Sequence, residues 1–283
     1  IGNAGKKMKS YIYPKLPAQL TTPWIRFGGS GLANCMFVAA RAFLRAQRES
    51  RQFVDPAWIN FSIGPYRRGE ADKRHYTGIF RHYGKCNGLR KAFILWGLRR
   101  RVAVEQGVGN YFEDIIDDAP LIQSYFEQII RPEIFEKLAS FNFSDTIAVH
   151  IRLGDYPQSR RVPMNWYSDL IGKINDLTQS RYKVLIFTDG TDDELKTLLT
   201  IPNVQRVFFG NALSDIWALS KCNFLIGSDS TFSGWGSYLG QVPTVFFRKH
   251  YGRVLKNPLD ELVEEDAENR VQVEAFLREK LCC

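Results

Sequence analysis

The chain has 283 residues, enough for one large domain or two of ordinary size. Hydrophobic residues at 45% and aromatics at 13% exclude a disordered chain, and no apolar run is long enough to predict a transmembrane helix. Lys and Arg number 38 against 30 Asp and Glu, a net charge of +8 that suits a polyanionic ligand, a nucleotide or an acidic surface without selecting among them. The cysteines are Cys35, Cys86, Cys222, Cys282 and Cys283. Their odd number and unpaired spacing predict no disulfide framework and no zinc site.

Residues 1–22 are basic, then rich in Pro and Thr, and read as a tail leading into the fold. Pro23 to Phe27 is a short apolar run, followed by Gly28-Gly29-Ser30-Gly31. From Leu32 to Arg48 apolar residues recur at helical spacing: Leu32, Met36, Phe37, Ala40, Phe43 and Leu44. This predicts a strand, a glycine turn and a helix. Such a turn lets a backbone approach a ligand, and the helix start offers N–H groups to an anion. A plain tight turn explains the glycines equally well. The spacing is not that of a Walker loop.

The segment 53–110 carries Arg67, Arg68, Lys73, Arg74, Arg81, Lys85, Arg90, Lys91, Arg99, Arg100 and Arg101. Only Glu70 and Asp72 oppose them within 67–101. An acidic acceptor, a phosphate-rich donor or an anionic membrane surface would suit this stretch, and so would a solvated basic face. No nucleic-acid motif accompanies it, and no nucleic-acid partner is expected. Leu121 to Leu138 mixes aromatic and acidic residues, with Pro132 near a helix start.

Beyond Asp145 the pattern becomes regular. Ile147 to Tyr156 opens as a short apolar strand and ends in a Gly-Asp turn, with His150 and Arg152 on one strand face and Asp155 close behind. Helices are predicted at Asn165–Leu177, Asp192–Leu199 and Ser214–Ser220, the last with a Ser N-cap. Strands are predicted at Tyr182–Phe187, Val204–Phe209, Phe224–Gly227 and Val242–Phe247. Ser228 to Ser233 opens a further helix through Leu239, and Val271 to Leu281 is helix-like. Strands alternating with helices give an α/β fold with a doubly wound, mostly parallel sheet. The change in regularity sets a boundary near 144, dividing the chain into 1–22, 23–144, 145–260 and 261–283.

Four groups fall at predicted C-terminal strand ends, where open α/β sheets bind ligands. They are Gly28–Gly31, His150/Arg152/Asp155, Thr188/Asp189 and Ser228–Ser233. Their chemistry suits a nucleoside diphosphate. Arg152 is a permanent planar cation for phosphate. Ser228, Ser230 and Thr231 supply hydroxyls at a helix start. Asp189 could accept from a base or ribose, and Asn34 could reach the site with its amide. Alternatively Arg152 braces Asp155, and His150 is a satisfied core residue. The chain has no Asp-X-Asp to hold a divalent metal against a diphosphate, so no metal is expected.

The segment Gly31-Leu-Ala-Asn-Cys-Met-Phe37 resembles the Gly-Leu-Gly-Asn-Gln-Met-Phe of the family 11 α-1,2-fucosyltransferases. His150-Ile-Arg-Leu-Gly-Asp-Tyr156 is similar to their His-X-Arg-X-Gly-Asp-Tyr. Phe187-Thr-Asp-Gly190 stands where they have Phe-Ser-Asp-Asp, and Ser228-Asp-Ser-Thr-Phe-Ser-Gly-Trp-Gly236 resembles Ser-Asn-Ser-Ser-Phe-Ser-Trp-Trp-Gly. The matches run in order over about 28–247. The resemblance implies a GT-B fold of two Rossmann-like domains facing a cleft, with 23–144 on the acceptor side and 145–260 on the donor side. It implies inverting, metal-independent transfer of L-fucose from GDP-fucose to a sugar hydroxyl, in α-1,2 linkage. By position, Arg152 would clamp the diphosphate. Gly29, Gly31, Asn34, Ser228, Ser230, Thr231 and Phe232 would assist, Asp189 would face the nucleoside, and His150 or Asp155 would be the base. Ala33, Cys35, Asp229 and Gly234 depart from the pattern. They leave room for another nucleotide sugar, or for a binder without turnover.

Overall fold

The computed structural model describes residues 10–154, 156–264 and 270–282, which divide into two compact units. The first takes the chain to Gly64, then 74–109 and 120–131; the second takes 65–73, 110–119 and the chain from Pro132. The last crossing of the chain between units thus falls between 131 and 132, ahead of the boundary near 144 read from the sequence.

In the first unit the strands are β1 (Tyr11–Pro14), β2 (Leu20–Thr21), β3 (Ile25–Phe27), β4 (Gln52–Phe53), β5 (Ile59–Phe61) and β6 (Val102–Glu105). They form a parallel sheet in the order β4-β1-β6, and a small sheet β2-β3-β5. β1 corrects the reading of 1–22 as a tail. Its Tyr-Ile-Tyr run is buried throughout, and it pairs on both edges. Aromatic and β-branched residues suit such a strand, and Pro14, which lacks a donor, closes it. Helix α1 (Leu32–Arg48) packs on this sheet and buries nearly all its apolar residues. The short α2 (Gly64–Arg67) begins at the unit boundary and lies almost wholly in the second unit; α3 (Gly88–Gly97) and α4 (Ala119–Ile129) follow in the first. Ile94 of α3 joins Tyr11, Tyr13, Val54 and Cys86 in the core of this unit.

The second unit is built on six parallel strands in the order β12-β11-β10-β7-β8-β9. These are β7 (Thr146–Ile151), β8 (Lys183–Thr188), β9 (Val204–Arg206), β10 (Phe224–Gly227), β11 (Thr244–Phe247) and β12 (Glu261–Glu264). The helices are α5 (Pro132–Ala139), α6 (Met164–Thr178), α7 (Lys196–Leu199), α8 (Ala212–Leu219), α9 (Thr231–Gly240) and α10 (Arg270–Leu281). β7 is buried at all six positions, as a central parallel strand covered on both faces must be. Ile147, Val149 and Ile151 pack with Tyr167 and Ile171 of α6 and with Val273 and Leu277 of α10. The predicted strand 204–209 is shorter, ending at Arg206, and only the last turn of 192–199 is helical. The cap of α8 is Asn211, whose side chain accepts from the Ser214 N–H at 2.9 Å, rather than Ser214 itself. Among the described residues no helix is long and apolar enough to cross a membrane.

Candidate functional site

The C-terminal ends of β7, β8 and β10 lie side by side, because His150 pairs with Phe187 on one edge and Gly227 on the other. This register brings three of the four predicted groups together. His150 is 5% exposed. Its Nδ1 meets Ser233 Oγ at 2.6 Å and Ser228 Oγ at 3.0 Å, and its ring stacks on Phe232 at 4.8 Å. Burial pushes its pKa down to about 3; Asp189 opposes the shift and Arg152 adds to it. A neutral imidazole held by two hydroxyls fixes the β10–α9 turn. That placement is a brace, and it engages the Nδ1 of His150 within the protein.

Arg152 has different partners. Its Nη1 donates to Asp189 Oδ2, and its guanidinium lies 5.4 Å over the Tyr156 ring. Asp189 Oδ1 accepts from the Leu153 and Gly154 N–H groups at 2.9 and 3.0 Å. Burial would raise the Asp189 carboxyl, but the Arg152 charge and the two N–H donors outweigh it and hold the pKa below the usual carboxylate range. A Cβ on Gly154 would stand 2.4 Å from Asp189 Oδ2, so the turn needs glycine there. Asp189 thus braces Arg152. Both of its oxygens are engaged within the protein. Asp155, the other candidate base, lies outside the described residues.

The α9 start completes this end of the sheet. Ser230 caps it, accepting from the Phe232 N–H at 3.3 Å, while Tyr251 donates to the Ser230 carbonyl at 2.8 Å. Thr231 opens the helix and is half-buried. Arg160, which sequence reasoning passed over, lies 4.9 Å over the same Tyr156 ring and 3.9 Å from Asp229. Tyr156 in turn donates to the Asp229 carbonyl at 3.0 Å. Two guanidiniums on one aromatic ring, beside a ten-residue helix start, make a place where an anion gains from fixed cations and N–H dipoles. Among the described residues no group of three or more His, Cys, Asp and Glu side chains could hold a metal ion.

The fourth group, Gly29, Gly31 and Asn34, belongs to the first unit. Gly29 has φ of +90°, and a Cβ there would stand 2.2 Å from the Pro17 carbonyl. Glycine is therefore required by the turn itself. Gly31 is the N-cap of α1, with nothing within 4 Å of a Cβ built on it, and Asn34 is half-buried in the first helical turn.

The four departures from the family pattern also have places. Ala33 and Cys35 are buried in the first turn of α1, and Cys35 Sγ donates to the Ser30 carbonyl at 3.7 Å. Burial pushes the Cys35 thiol up to about 11, against the opposing Arg26 charge. Asp229 Oδ1 accepts from the His250 N–H at 2.9 Å. Gly234 makes room for a ring: a Cβ there would stand 2.5 Å from Phe112, which is fully buried against Trp235, Tyr238 and Tyr251. The space beside Gly234 is thus filled by the Phe112 ring.

This architecture is that of solved glycosyltransferases. A NodZ α-1,6-fucosyltransferase co-crystallized with GDP superposes with a TM-score of 0.55 at 16% identity, covering 84% of this chain and 95% of that one. The fucosyltransferase NodZ from Bradyrhizobium gives 0.54 at 16% identity, over 83% and 94%. The Escherichia coli ADP-heptose lipopolysaccharide heptosyltransferase II gives 0.50 at 12%, over 95% and 99%. At these identities the likeness is one of fold, the GT-B architecture. The chain belongs to glycosyl transferase family 11, whose model matches residues 66–250. An Escherichia coli relative, the O-antigen biosynthesis glycosyltransferase WbnK, is 30% identical over 154 residues, 46% of this chain and 49% of that protein. The chain thus spans about half the length of the curated relative it matches.

Proposed function

We propose that this family 11 glycosyltransferase moves L-fucose from GDP-fucose to a sugar hydroxyl in α-1,2 linkage, with inversion and without a metal. One observation carries the reading: the Arg152 guanidinium, held by Asp189, stands at the end of β7 next to the Ser230-capped start of α9. A leaving diphosphate needs fixed cations and N–H donors where its charge develops, and these are such groups. The donor identity and linkage rest on the His150–Tyr156 and Ser228–Gly236 motifs, which are similar to those of the α-1,2-fucosyltransferases.

In the reaction the anomeric carbon–diphosphate bond breaks, a bond from the acceptor oxygen forms on the opposite face, and the acceptor hydroxyl loses its proton. Arg152 binds the departing diphosphate, helped by Ser230, Thr231 and the α9 N–H groups. His150 positions the serine turn, and Phe232 lies against its ring. The proton goes to Asp155 or directly to the leaving diphosphate. The pH profile of Asp155→Asn separates these routes, since the acid limb vanishes only if Asp155 is the base.

Calorimetry with GDP, UDP, ADP and dTDP tests the donor, and transfer from GDP-fucose in EDTA tests metal independence. Binding of GDP alone together with EDTA-resistant transfer is the expected result. Preference for another nucleotide, or activity restored only by a divalent cation, overturns the corresponding part.

A further inference from the structure

The first unit holds a cavity of about 340 Å³ that none of the donor-site residues lines. Its volume lies at the lower end of the roughly 300–1,000 Å³ of small-molecule sites. Its walls are aromatic. Trp58 stacks on Phe80 with centroids 4.0 Å apart, and Trp24 and Tyr83 line the same space. Rings of this kind offer the flat apolar faces on which a pyranose rests its C–H groups.

The charges in this cavity do not balance. Asp55 is the acidic lining residue; it is 5% exposed, and its carboxylate is engaged by His82 Nδ1 at 2.9 Å. Lys91, Arg81 and Arg131 line the cavity as well. Arg81 spends its Nε on the Gln128 carbonyl, which leaves the two terminal nitrogens of the guanidinium. Lys91 is the singular member. It is 3% exposed, its ammonium lies 5.5 Å over the Tyr13 ring, and among the described residues no hydrogen-bond acceptor meets it. The Lys91 side chain is buried while it lines the cavity, and holding a charge in so largely desolvated a place is costly. Burial accordingly pushes the Lys91 pKa down to about 7, with the Asp55 charge opposing the shift. The cavity is short of one anion.

We propose that this cavity binds a carboxylated pyranose, an acidic residue of the acceptor glycan, with its carboxylate on Lys91 and its ring against the aromatic wall. A carboxylate supplies the acceptor that Lys91 lacks, and Arg81 and Arg131 add to the positive field. Asp55, fixed by His82, is left to accept from a ring hydroxyl. The assignment of the ligand as acceptor rests on the reading of the chain as a glycan-directed transferase; the carboxylate preference rests on the cavity alone.

The test is titration of the full chain with methyl β-D-glucuronopyranoside, methyl β-D-glucopyranoside and glucose 6-phosphate, followed by saturation-transfer NMR and calorimetry. The glucuronide is expected to bind more tightly than the neutral glucoside, and Lys91→Met is expected to weaken it roughly tenfold or more, the loss of one charge-assisted bond. Lys91→Arg, which keeps the charge, should retain part of the affinity. Equal binding of the neutral glucoside, preference for the phosphate, no binding of any sugar, or indifference to Lys91→Met would each overturn the proposal. GDP binding is measured on every variant. If GDP binds and the glucuronide does not, this proposal alone fails; if GDP does not bind the unaltered protein, the donor reading fails independently. Folding is secured because Lys91→Met replaces a buried charge by a side chain of similar length.

Discussion

Each unit encloses a small group of charges, and they are treated in opposite ways. At the strand ends of the second unit, Arg152 is matched by Asp189, Asp189 by two N–H groups, and His150 by two hydroxyls. In the cavity of the first unit, Asp55 is matched by His82 but Lys91 has no hydrogen-bond acceptor among the described residues. A cation whose direction is already fixed can stabilise charge as it develops, because nothing must reorganise. A buried cation without an acceptor marks the place of a partner that arrives from outside. The first arrangement is suited to a transition state, the second to recognition of a ground state.

The largest test of that contrast is Arg152→Ala, expected to lower kcat by about 10²–10³-fold with little change in acceptor KM, read from steady-state transfer. Arg152→Lys should recover little, since an ammonium cannot hold both Asp189 and a phosphate in a planar fork. Near-normal turnover in Arg152→Ala would dissolve the distinction between the two units. Asp189→Ala comes next. It leaves a largely buried guanidinium and two N–H groups without their acceptor, at about 3–4 kcal/mol of stability by urea unfolding. If Asp189 instead reaches the nucleoside, the variant loses GDP affinity while keeping its stability.

The two units also differ in how far the sequence discloses them. In the second, β10 and α6 stand within a residue of their expected bounds, because long apolar runs and helical spacing are local signals. In the first, β1 hides in a Pro-rich basic segment. Four residues are too few for periodicity, and its partners β4 and β6 are distant in sequence. Lys91 is one of the eleven cations of 67–101, which by sequence suit an anionic partner or a solvated basic face alike. It shares a helix face with Ile94, Leu95 and Leu98, which pack in the core, and that spacing was the available sign of its burial. At the site, the motif residues were legible but their roles were not. Whether Asp189 contacts a ligand or holds Arg152 depends on two backbone N–H groups that only the folded turn supplies. Phe112, the ring that stands against Gly234 where the family pattern has Trp, is remote from it in sequence and could not be paired with it by spacing.

That replacement gives a third test. Gly234→Trp restores the family residue yet forces a side chain into a rigid cluster of rings, costing about 3 kcal/mol of stability. Phe112→Ala alone opens a cavity, with a loss of about 3 kcal/mol. Combining them should cost clearly less than the sum, measured as a double-mutant cycle in urea. Additivity would mean that the indole and Phe112 do not compete for one space, and that Gly234 lies open to a ligand instead.

The smallest effect concerns His150, where burial without charge replaces pairing. Its folded pKa of about 3 lies below the usual 6.5. Between these values the unfolded chain carries one more proton than the folded one, so stability rises with pH and is lost as pH falls from about 6.5 toward 3. From pH 6.5 to 4.5 this contributes a loss of about 2 kcal/mol. His150→Asn keeps a group near the Nδ1 position but does not titrate, and its stability should fall less over the same interval. Equal pH slopes for the two proteins would mean that His150 is charged in the fold, where an imidazolium beside Arg152 would need an acid partner. Asp189 is the carboxylate at hand. The second unit would then hold one anion shared between two cations, and would resemble the cavity of the first unit in being short of negative charge.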